Sequence, residues 1–182
     1  MGLGKLILRA TIGGYFFGHG MQKLTGWFGG HGPEATGEFF EQVGLRPGKE
    51  SALIAGAAEA GGGTLLAFGL LTPAAVSMLT GVMTNAIRHV HWKNGLWNND
   101  GGIELPVLVL AGLAALADSG PGRYSLDEAL GIRLRGPVVT ALAMGAGAAG
   151  AVYFAEHGQE LFDAVAADDA LSRATEKVGA ES

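Results

Sequence analysis

Four stretches of the chain are long, apolar and almost free of charge: residues 51–71, 73–87, 103–117 and 137–155. A fifth, residues 3–24, is equally apolar apart from Lys5, Arg9, His19 and Lys23. Crossing a bilayer core as a helix takes ~20 apolar residues, fewer where flanking residues reach out to the interface. A soluble domain of this length would need a polar face on most of its helices, and these segments have almost none. The expected fold is therefore all-α: an integral membrane four-helix bundle with an additional C-terminal transmembrane helix.

Charged residues make up 16% of the chain, below the ~25% usual for soluble proteins. The 32 glycines are scattered through the apolar segments rather than gathered in a linker. Small residues of this kind let membrane helices approach closely, where the hydrophobic effect gives no drive for association. A formal charge of −5 argues against nucleic acid as a partner. With no cysteine, the chain itself performs no thiol–disulfide chemistry and supplies no thiolate to an iron–sulfur cluster or a zinc ion. Arg9 interrupts the first apolar run and no small-residue cleavage pattern follows, so this run is expected to be a retained span.

The punctuation between runs places the remaining elements. Residues 33–43 predict a short amphipathic helix along the membrane surface, with Pro33 in its first turn and Gly44 at its end. Phe39, Phe40 and Val43 form its apolar side; Glu34, Glu38 and Glu41 face away. Helices are expected at about 49–71 and from Pro73, joined by so tight a turn that they form an antiparallel hairpin. Trp27, Phe28 and Trp97 suit a membrane interface. Residues 120–130 read as a Gly-Pro-Gly turn followed by a short helix. Residues 1–130 thus form the bundle, and 131–182 a C-terminal extension: a fifth span at 137–155 and an acidic, solvated tail from Glu156. Lysine and arginine are evenly divided between the two ends of the spans, so the positive-inside rule is silent. The acidic surface helix favours the side away from the anionic cytoplasmic leaflet, which puts the N-terminus in the cytoplasm.

An ionisable group inside a span costs at least ~2.5–3.5 kcal/mol near the centre, so each needs a partner or a purpose. Glu59 lies mid-helix on a face that reads Ala52, Gly56, Glu59, Gly63, Leu66, pointing into a small-residue packing stripe. It is either a proton-handling or ligand-anchoring group or half of a structural ion pair. Arg9 is one candidate partner for it, or else reaches the headgroups. His19 and Lys23 stack four residues apart on the first helix, where an imidazole suits a quinone carbonyl or a proton relay. At the end of the third helix, Asn85 and Arg88 share a face with Gly81, and His89 and His91 follow. Glu104 suits a helix N-terminus electrostatically, or joins Arg88 and His89 in a polar pocket. Glu59, His19 and His89 are the catalytic candidates, and Arg9, Lys23, Asn85, Arg88 and Glu104 complete a candidate ligand site. Adding His31 and Asp100 gives no metal-site spacing, so no metal is expected.

The ordered motifs His19-Gly20-Met21-Gln22-Lys23-Leu24, Gly29-Gly30-His31-Gly32, Ala55-Gly56-Ala57-Ala58-Glu59-Ala60-Gly61-Gly62 and Leu70-Leu71-Thr72-Pro73 share a pattern. It continues through His89 to Gly95, Gly101-Gly102-Ile103-Glu104-Leu105 and Gly120-Pro121-Gly122-Arg123-Tyr124-Ser125-Leu126-Asp127. Over about residues 5–130 the chain resembles the DoxX family of small bacterial membrane proteins. The resemblance implies a multi-pass four-helix bundle in the plasma (inner) membrane. It associates the chain with quinone-linked oxidation of sulfur compounds and with membrane oxidoreductase assemblies. Three functions are then in play. The first is an accessory subunit of an oxidoreductase or respiratory assembly, meeting protein partners or its own copies in the bilayer. The second is a quinone-reactive oxidoreductase acting on a small sulfur compound, and the third a small-solute carrier or membrane scaffold. No covalently bound cofactor is expected, and quinone is the candidate ligand.

Overall fold

A computed structural model describes the backbone of residues 2–180 and the side chains of residues 2–170 and Arg173. The last residues of the acidic tail, Glu181 and Ser182, lie outside the described residues. The described chain is all-helical: α1 (Leu3–Thr25), α2 (Gly32–Gln42), α3 (Gly48–Phe68), α4 (Thr72–Ala86), α5 (Glu104–Ser119), α6 (Leu126–Ala129) and α7 (Pro137–Ala180). One wide π-helical turn, Ile87–His91, extends α4. The four runs that predict a bundle become α1, α3, α4 and α5, each within a few residues of its expected bounds.

By length and composition, two helices suffice to cross a membrane: α3 and the Pro137–Ala170 part of α7. α1 carries Lys5, Arg9 and Lys23, while α4 and α5 are 15 and 16 residues long, short of the ~20 a span takes.

Chain direction alternates through the bundle, so the C-terminal end of α1, α2, the start of α3, the end of α4 and the start of α5 share one end. The start of α1, the α3–α4 turn, α6 and the start of α7 share the other. Close packing is concentrated towards this second end, where Leu66, Val76, Leu79, Leu113, Leu116 and Ala117 are buried together. α1 meets α3 through bare backbone. A Cβ on Gly13 would sit 2.5 Å from the Gly63 carbonyl oxygen, and one on Gly20 would collide with the Ala60 amide. Glycine is required at both places because no side chain fits between the two backbones. All five residues of the 52/56/59/63/66 stripe are buried, as their helical spacing predicts.

The α3–α4 turn is clamped from both sides. Arg9, 2% exposed, donates hydrogen bonds to the carbonyls of Ala67 and Tyr124. Asp127, equally buried, accepts from the amides of Leu71 (2.7 Å) and Thr72 (3.0 Å) and from the Thr72 hydroxyl (2.7 Å). A cation meets the negative C-terminal end of α3 and an anion the positive N-terminal end of α4, each the favourable sign for a helix dipole. Leu71 takes a left-handed conformation (φ 47°) unusual for a side chain with a Cβ, and Asp127 holds its amide. Asp127 is therefore a long-range helix cap as well as the start of a short helix.

α7 differs most from its expected span. Instead of ending near Ala155 it continues as one helix to Ala180. The composition changes at Glu156, but the backbone does not. Alanine, glutamate and leucine are strong helix formers in water as well, and pairs such as Asp169–Arg173 (2.7 Å) add i,i+4 support.

Candidate functional site

The half of the bundle opposite the packed core holds a cavity of about 530 Å³. α3 and α4 form its floor, α2 lays Phe39 and Phe40 across its end, and α7 supplies a wall through Gly147, Gly150 and Phe154. The lining is mostly apolar, with Lys23, Ser51, Glu59, Asn85 and His91 as its main polar side chains.

Lys23 Nζ lies 2.6 Å from Glu59 Oε2. The Glu59 side chain is 5% exposed and that of Lys23 21%, so the anion is the deeper partner. Taking two charges out of water costs several kcal/mol per ion, which their attraction offsets only at this close range. The structure thus pairs Glu59 with Lys23 rather than with Arg9. The reason is register: α1 and α3 run antiparallel, so Arg9 comes level with Ala67 while Lys23 comes level with Gly56 and Glu59. Arg9 and Lys23 share the buried face of α1 but stand ~21 Å apart along it. Only one of them reaches the site. Nor does Arg9 extend to headgroups, since its guanidinium is enclosed by the α3–α4 turn.

The remaining candidates divide. Asn85 lines the cavity, and its Oδ1 is buried without a protein partner, as is Ser51 Oγ. A buried polar atom without a partner costs roughly 1–3 kcal/mol, a cost that a water or a polar ligand beside it would remove. His19 is exposed and hydrogen-bonds Gln22 Oε1 (3.0 Å), outside the lining. His89 sits behind the cavity, with Nδ1 3.0 Å from the Val43 carbonyl oxygen and Nε2 buried and unpartnered. Arg88 turns out to the α7 side chain of Glu156 at 3.3 Å. Glu104 accepts from the Asn98 amide (2.9 Å) and so pins its own loop instead of joining Arg88 or His89. Among the described residues no three histidine, aspartate or glutamate side chains converge as a metal site requires.

Among the lining residues outside the candidate site drawn from the sequence are Ser51, Phe154 and His91. Ser51 looks like a helix-start residue, and Phe154 belongs to the extension. His91 is separated from His89 by the π-helical turn, which sends His89 to α2 and His91 to the Gly101 carbonyl oxygen (2.7 Å) and the cavity. Such wide turns recur at functional sites.

On α2, the carboxyl of Glu34 is held below its usual range by a hydrogen bond and ion pair with Lys49 (2.7 Å). This contact joins α2, the cavity's end cover, to the start of α3.

No curated protein and no solved structure matches the chain. The DoxX family model matches residues 4–92, from α1 through the π-helical turn, which include Lys23, Glu59, Ser51, Asn85 and His91 but not α7. Through this segment, which holds the polar side of the cavity, the chain belongs to the DoxX family of small membrane proteins.

Proposed function

We propose that this protein is a multi-pass component of an oxidoreductase or respiratory assembly in the plasma (inner) membrane, N-terminus cytoplasmic, and that its cavity receives a quinone headgroup. The observation that carries the reading is the Lys23–Glu59 pair at the wall of a mostly apolar cavity. A volume of about 530 Å³ lies within the ~300–1,000 Å³ usual for small-molecule sites, which are mostly apolar with a few fixed polar groups. A quinone needs hydrogen-bond donors at its carbonyls and apolar walls against its ring. The Lys23 ammonium and the Asn85 amide are donors of that kind, and Phe39, Phe40 and Phe154 supply flat apolar surface. The quinone, when bound, supplies reversible two-electron redox chemistry. The chain's residues bind and orient it, and the walls keep water away from the ion pair. Lacking cysteine, the chain leaves any thiolate-held redox centre to a partner, which makes it an accessory subunit.

Titration of nanodisc-embedded protein with a soluble quinone analogue tests this. Binding above the level of empty nanodiscs is expected, at least tenfold weaker in the Lys23→Met/Glu59→Leu double variant. Equal uptake by protein-loaded and empty nanodiscs would end the quinone reading. Turnover of quinone with thiosulfate by the isolated protein would make it an enzyme in its own right rather than an accessory subunit.

A further inference from the structure

The cavity has a side opening. α3 and α7 each pack against α4, but they make no extensive contact with each other. Ile54 on α3 and Gly150 on α7 face the resulting gap; both line the cavity and both are exposed. Behind them Ser51 and Glu59 are buried. The polar groups are therefore deep, and the way out passes between apolar helix flanks. A solute arriving from water would need a polar mouth, whereas a molecule dissolved in lipid needs the one seen here.

We propose that the gap between α3 and α7 is a side entrance from the bilayer, and that the ligand is a tailed amphiphile. Its head lies against Lys23, Glu59, Ser51 and Asn85, and its hydrocarbon tail leaves between Ile54 and Gly150. The identity of the head rests on the quinone reading above; the tail and its path are new. One side of the entrance belongs to α7, which lies beyond the segment matching the DoxX model, so tail selection is a property of this chain's C-terminal part.

Gly150 makes the test clean. A Cβ there meets nothing within 4 Å, so a larger side chain grows into the gap without displacing backbone. Two probes are titrated into nanodiscs: a decyl-tailed dimethoxybenzoquinone, and the same head without the tail. Gly150→Phe and, from the opposite side, Ile54→Trp are each expected to weaken the tailed probe at least about tenfold, the affinity carried by roughly two buried methylenes. The tail-free head should change by less than about threefold. Leu142→Phe, on the outer face of α7, should leave both unchanged. Loss for both probes alike, or for neither, overturns the side entrance while leaving the quinone reading intact. If neither probe binds the unsubstituted protein, the quinone reading fails and the proposed ligand fails with it.

Discussion

Replacing Asp127 by alanine should loosen the α3–α4 turn more than any other single change outside the cavity. Its carboxylate accepts three hydrogen bonds, from the amides of Leu71 and Thr72 and the Thr72 hydroxyl, at 2.7, 3.0 and 2.7 Å. Thr72 is 1% exposed, so water does not readily replace what is lost. Hydrogen bonds to a charged group contribute about 1.5–3 kcal/mol each, which simple addition would carry to roughly 4.5–9 kcal/mol. The bonds share one acceptor group, and the desolvation cost of that carboxylate disappears with it. A net loss of about 3–5 kcal/mol follows, the range for breaking a buried charged contact. For a chain of this size that is roughly 6–20 °C in Tm, readable by tryptophan fluorescence in detergent. Asp127→Asn should cost about half as much, because one oxygen still accepts while the amide group faces a donor. Arg9→Met should be non-additive with Asp127→Ala, since both grip the same turn. A change below about 1 kcal/mol in Asp127→Ala would refute the clamp.

Breaking the cavity's ion pair should be asymmetric. Lys23→Met strands the deeper charge and is expected to cost about 3–5 kcal/mol, whereas Glu59→Gln leaves a lysine long enough to turn outward and should cost about 1–2 kcal/mol; equal thermal shifts would contradict this. Gly20→Leu drives a side chain into α3 backbone and should cost several kcal/mol or prevent folding, while Gly18→Leu, with nothing within 4 Å, should melt as the parent does. Glu34→Gln tests the α2–α3 contact. Because Lys49 lowers the Glu34 pKa in the folded chain, its contribution is present above the unfolded value of about 4.3 and is lost as pH falls through the folded one. The small Tm difference from the parent should thus appear at pH 7, fade in acid and shrink with salt.

The helices and the buried stripe of α3 were legible because apolar run length and helical spacing are local signals. Glu59 stood out for the same reason: a carboxyl among small residues is visible without any partner. Its partner was not. Arg9 and Lys23 lie on one face of α1, and only the antiparallel offset of α1 against α3 separates them. Asp127 was hidden differently, since its three donors lie 55 and 56 residues earlier and no local pattern joins them. The wall formed by α7 was concealed by a composition that suggests a bilayer span followed by a solvated, partly helical appendage. Ala- and Glu-rich sequence stays helical in either solvent, so polarity marked the wrong boundary.

The 44 residues of α7 make a rod about 66 Å long, against a hydrocarbon layer of about 30 Å. It touches α4 so closely at Gly147 that a Cβ there would collide with the Ser77 carbonyl, which gives the rod a fulcrum. Higher up it is held again where the buried Gly158 comes close to the Arg46 carbonyl oxygen, beside the exposed Arg88–Glu156 pair, itself worth less than about 1 kcal/mol. From Gly158, the last of these holds, the far end lies ~33 Å away and Phe154 ~6 Å, a leverage of about five to one. A sideways load that shifts the acidic tip by about 5 Å would swing the Phe154 ring by about 1 Å, and the bulk carried outside would be felt in the width of the gap.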